Sequence, residues 1–205
     1  MPHVDFFRYC DELLEKYKND ERIQLIAGFS SFYKKVKSDS SYYMSSHLEI
    51  WGWGSWRRVW STYEYDLNLV NAEDLKKKIE ERLPSKNARF FERIYDRMIN
   101  QPIDTWDYQF IMNQFLYERY SIIPYVNLVE NIGFGTMDAA HNTGFDSKIA
   151  NHKASSIYPI RHPQHFSVDL RADKITMKNQ YEFEPSLLQS VIRKVSRVLK
   201  RVFWH

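Results

Sequence analysis

The stretch Glu49-Ile-Trp-Gly-Trp-Gly-Ser-Trp-Arg-Arg-Val-Trp60 decides how this chain is read. Glycines alternating with tryptophans let the backbone turn sharply and approach a neighbour closely. Ser55 stands where the N-cap of a following helix belongs, with Arg57 and Arg58 in its first turns. The stretch therefore reads as a tight turn from a strand into a helix. Two uses are open for its indoles. Their flat faces suit the apolar C–H face of a sugar ring, with the indole N–H donating to a hydroxyl. The same side chains also suit a core that they simply fill.

Elements of both kinds surround this turn. Upstream, Phe6, Cys10, Leu13, Leu14 and Tyr17 fall on one stripe, which predicts a helix over 5–18 with its acids placed early. Ile23–Phe29 is a short apolar run bounded by Gly28 and reads as a buried strand. The polar, Ser-rich residues 34–46 read as a loop or irregular edge. Downstream, helices are expected over 72–82 and 87–100, split at Pro84, and from Asp104 to about Tyr117. Ser121–Val126 reads as a strand, 127–148 as a Gly-containing loop, and 149–180 as an extended wrap holding Pro159 and Pro163. The order is that of an α/β chain without its opening strands.

Composition narrows the class. A chain of 205 residues, 43% hydrophobic and 27% charged, suits one globular domain or two small ones rather than a disordered protein. Aromatics make up 16%, as is common where ring-shaped ligands bind. The single Cys10 excludes an intrachain disulfide and any C-x-x-C site, which fits a reducing cytoplasmic setting. The charged first twenty residues are no signal peptide, and no apolar run is long enough to span a membrane. The net charge of +3 comes from the end of the chain. Setting aside Arg193, Lys194, Arg197, Lys200 and Arg201 takes the remaining body to −2, which argues against a nucleic-acid partner.

Two further motifs bear on chemistry. In Pro102-Ile-Asp-Thr-Trp-Asp-Tyr-Gln109, Asp104 suits an N-cap and Asp107 the first helical turn, where a carboxylate is favoured. Flanked by Trp106 and Tyr108, Asp107 is a candidate general base for a substrate hydroxyl. Asn131-Ile-Gly-Phe-Gly-Thr-Met-Asp-Ala-Ala-His141 closes on a candidate metal or diphosphate ligand, His141, but Gly133 and Gly135 match no phosphate-binding fingerprint. No two aspartates stand two apart, so the chain has no D-x-D metal motif.

In order along the chain, 2–17, Ile26-Ala-Gly28, Ile50–Arg58, Asp104–Gln109, Asn127–Gly135 and Pro159-Ile-Arg-His-Pro163 resemble bacterial GT-A-type nucleotide-diphospho-sugar transferases. That family is itself similar to the N-acetylglucosaminyltransferase I family. The resemblance implies an inverting hexosyl transfer from a nucleotide sugar to the hydroxyl of a glycan or lipid-linked acceptor in cell-surface polysaccharide or lipopolysaccharide synthesis. On this pattern Asp107 is the base, with Asp104 the next candidate. Trp51, Gly52, Trp53, Gly54, Trp56 and Trp106 shape the sugar site, and His141 sits near the diphosphate. A divalent metal, Mn or Mg, is implied as well. In relatives a nucleotide-binding half ending in an acidic metal motif precedes the residues matching Pro2, and here Met1 stands at that junction. The expectation is therefore the C-terminal, acceptor-side part of the fold over 1–180, with the donor site on a missing N-terminal half and no turnover by this chain alone.

Residues 181–205 are expected to form a basic amphipathic helix. Leu187, Leu188, Val191, Ile192, Val195, Val198, Leu199, Val202 and Phe203 follow a helical stripe with the five cations mostly off it. Each cation near an anionic leaflet adds roughly 1 kcal/mol. This predicts a peripheral position on the inner face of the membrane through 186–205. A non-catalytic carbohydrate-binding or membrane-associated protein is the alternative reading.

Overall fold

The computed structural model describes residues 1–32, 36–101, 106–132 and 152–181. Asp104, His141 and the basic stripe over 186–205 lie outside them. The chain is a mixed α/β structure built on a four-stranded sheet. Its strands are β1 (Ile23–Ala27), β2 (Tyr42–Ser45), β3 (Trp53–Gly54) and β4 (Tyr120–Pro124), in spatial order β2-β4-β1-β3. The central pair β1–β4 is parallel, and both outer pairings are antiparallel.

Alternation along the strands, with a register shift between Ile23 and Leu25 in β1, divides the core into two halves. Ile23, Ile26, Tyr42, Met44 and Ile122 point to one face, where α1 (Asp5–Lys16) packs Phe6, Tyr9 and Leu13. Leu25, Ala27, Tyr43 and Ile123 point to the other face. There they meet α3 (Ala72–Arg82), α4 (Ser85–Asn100) and α5 (Asp107–Leu116). Helices therefore cover both faces, as a central parallel pair requires. Helix α3 begins where Asn71 caps it, its side chain accepting from the Glu73 and Asp74 amides at 3.0 and 3.1 Å.

Three expectations need correction. The Ser-rich segment contains β2, all four of whose residues are buried. Its tyrosines carry the apolar rings that make it a strand, while their hydroxyls find specific partners. Tyr42 shares hydrogen bonds of 2.8 Å with both Tyr17 Oη and His162 Nδ1. Next, the wrap over 149–180 contains a helix, α6 (Leu170–Thr176), capped by Asp169, followed by a π-helical turn (Met177–Tyr181). Finally, Ser55 does not cap α2 (Arg57–Trp60), whose N-cap is Trp56. The Ser55 hydroxyl instead donates to Gln24 O at 2.7 Å and fastens the turn to β1. No helix among the described residues is long and apolar enough to cross a membrane.

Candidate functional site: an aromatic platform at the start of α5

The tryptophan turn leans against the exit of β1. Gly28 N donates to Gly52 O at 2.7 Å, and Ala27 pairs with Trp53. Gly52 has φ +63°, the left-handed region that glycine enters without a steric penalty. A Cβ there would lie 2.5 Å from Val129 Cγ2. In an unbroken strand Trp51 and Trp53 would share a face. With Gly52 turned, they go to opposite halves of the core. Trp51 meets the Phe29 ring edge-on at 4.6 Å on the α1 side, whereas Trp53 packs on the α5 side.

The three tryptophans of the turn are therefore not gathered into one site. Trp56 is a structural latch: its Nε1 donates to Leu14 O at 3.0 Å, and the Arg58 guanidinium lies 4.4 Å over its ring. Arg58 in turn donates to Lys18 O, Ile23 O and Tyr17 O at 3.1, 2.9 and 3.3 Å. Gly54 faces Leu14 of α1 at ordinary contact distance.

Trp53 and Trp106, by contrast, are brought together across 52 intervening residues, with ring centroids 5.4 Å apart. Trp106 is the N-cap residue of α5 and is 40% exposed. Asp107 follows as its first residue, half-buried, with Oδ1 accepting from Tyr108 N at 2.9 Å. The helix thus starts at Asp107, and Asp104 lies outside the described residues. The fold adds aromatic neighbours that the motif reading left out. Trp60, 41% exposed, lies 5.9 Å from Trp53, and Tyr63 lies 5.3 Å from Trp60. All four rings lean on fully buried Phe110, at 5.0–6.0 Å. Their common spacing signal was Trp60 and Tyr63 at i and i+3, one turn apart.

A second polar group lies deep behind the sheet. Asp173 of α6 accepts from Ser45 Oγ at 2.5 Å and Ser46 N at 2.9 Å, fastening α6 to β2. Burial pushes its carboxyl up to about 6, against which these hydrogen bonds and Arg82 act. Burial also brings Arg82 down to about 10 and His47 down to about 3, Arg82 adding to the latter. Gln114 bridges the layers, donating to Ser46 O at 2.9 Å and accepting from Ser121 Oγ at 2.6 Å. Nearby, the Ser31 hydroxyl donates to the buried carboxylate of Glu49. These contacts join segments far apart in sequence, so no local motif announces them.

Among the described residues no three His, Cys, Asp or Glu side chains gather where they would hold a metal ion. Comparison with protein-family models, with curated proteins and with solved structures gave no match to this chain.

Proposed function

We propose that this chain carries the acceptor side of a nucleotide-sugar-dependent glycosyltransferase. The observation that carries the reading is the pairing of Trp53 with Trp106 at 5.4 Å, one residue from the Asp107 carboxylate at the start of α5. The half-exposed indole of Trp106 offers a face to a sugar ring, and dispersion with C–H bonds orients it. Asp107, held on the rigid first turn of a helix, takes the proton of the acceptor hydroxyl as that oxygen attacks the donor sugar. Trp53 and Trp106, which meet here, belong to the two segments, Ile50–Arg58 and Asp104–Gln109, that resemble the GT-A-type transferases. The five cations of 186–205 support a place on the cytoplasmic face of a membrane, where lipid-linked acceptors are made.

Saccharide binding, followed by intrinsic tryptophan fluorescence, tests the platform. Trp106→Ala should lose binding by about tenfold. In a preparation showing acceptor-dependent release of nucleoside diphosphate, Asp107→Asn should lower kcat by about 100-fold and change acceptor affinity by less than about twofold. Unchanged saccharide binding in Trp106→Ala would remove the platform from the reading. Full transfer by Asp107→Asn with binding intact would remove Asp107 as the base.

A further inference from the structure

We infer that the platform takes an oligosaccharide of at least two pyranose units, Trp60 and Tyr63 forming a second sugar subsite beside the one built on Trp53 and Trp106. The inference rests on the carbohydrate reading above and extends it from one ring to a chain.

The rings follow one another as neighbours, the outer two tryptophans being exposed. From Trp106 to Trp53 the step is 5.4 Å, from Trp53 to Trp60 5.9 Å, and from Trp60 to Tyr63 5.3 Å. A pyranose is about as wide as one six-membered aromatic ring, so a single sugar on Trp106 and Trp53 leaves Trp60 uncovered. Trp60 is also oriented for this use. It lies nearly parallel to Phe110, 18° between planes at 5.0 Å, so one face is sealed and the other is turned away from the core. Phe110 is fully buried, whereas Trp60 is 41% exposed. A tryptophan serving packing alone would gain from burying that second face. Tyr63 follows with a phenol, the polar handle that recognises hydroxyl groups at the far end.

Continuity with the first subsite comes through Trp53, which touches both Trp106 and Trp60. The chemistry around the strip favours a glycan over a bilayer. Trp60 lies nearly flat on buried Phe110, and Glu64, Asp66 and Asp107 border the rings in the chain. Carboxylates in that position oppose approach to an anionic leaflet.

The test is a length series. Cello-oligosaccharides and chito-oligosaccharides of one to four units are titrated against the full chain by calorimetry. Affinity should rise by about tenfold between one unit and three. Trp60→Ala and Tyr63→Ala should each abolish that rise and leave the one-unit affinity unchanged, while Trp60→Phe keeps most of it. Circular dichroism confirms that each variant folds, and Tyr63→Ala decides the matter if Trp60→Ala does not. Equal affinity for all lengths overturns the second subsite and leaves the first standing. No binding at any length overturns both. Capture of the chain on phosphatidylglycerol vesicles that is lost in Trp60→Ala also overturns it, assigning the strip to a membrane.

Discussion

Replacing Gly52 by alanine tests the hinge that separates Trp51 from Trp53. The backbone at Gly52 has φ +63°, where an L-residue other than glycine costs about 1–2 kcal/mol. The new Cβ would stand 2.5 Å from Val129 Cγ2, a contact that cannot persist unmoved. Val129 is itself held, since it is buried and its neighbour Leu128 donates to Gly28 O at 2.9 Å. Relief of such overpacking in a core costs about 1–3 kcal/mol. The two effects together predict a loss of about 2–5 kcal/mol in unfolding free energy, measured by urea denaturation with an unchanged m-value. The double variant Gly52→Ala with Val129→Ala separates the causes. It removes the clash but keeps the backbone strain, so its loss should fall short of the sum of the single losses by about 1 kcal/mol or more. A Gly52→Ala protein within about 0.5 kcal/mol of wild type would refute the hinge argument.

Two other outcomes follow from the polar contacts. Asp173 has a folded-state pKa raised to about 6 from an ordinary 3.8 by burial. A raised carboxyl stabilises the fold most below the unfolded value and loses that contribution as pH rises through the folded one, so about 3 kcal/mol should disappear between pH 4 and pH 6. The difference in unfolding free energy between wild type and Asp173→Asn should shrink by about that amount as pH rises from 4 to 7, and a pH-independent difference would sink the assignment. Arg58→Lys keeps the charge but not the planar fork that reaches three main-chain carbonyls. It should cost about 1–2 kcal/mol, readable as a fall in thermal midpoint, and no fall would show that the carbonyls do not need it.

Residues whose neighbours in sequence are also their neighbours in space were the legible ones. The stripe Phe6, Leu13 and Tyr17 gave α1, the apolar run from Ile23 gave β1, and helix formers between Asn71 and Pro84 gave α3. Strand β2 was hidden because Tyr42 and Tyr43, flanked by serines, look polar until Tyr17, His162 and Thr176 supply partners for their hydroxyls. Helix α6 was hidden because it is short and its Asp173 is half of a contact whose other half is in β2. The site divided in the same way. Trp53, Trp106 and Asp107 stood out by residue type, but only the fold shows that the first two touch. Trp51 and Trp56 looked equivalent to Trp53 and are not, because one left-handed glycine and one indole hydrogen bond send them elsewhere.

The strand order also governs how the protein is made. Strand β2 has β4 as its sheet partner, and β1 takes β4 on one side, yet helices α3, α4 and α5 all lie between β1 and β4 in the chain. During synthesis the segment Tyr42-Tyr-Met-Ser45 leaves the ribosome seconds before anything exists for it to pair with. An uncovered strand with two aromatic rings is a template for association with other chains. The helical layer over the sheet is thus also a delay, and yield in the cell should depend on how well chaperones cover that interval.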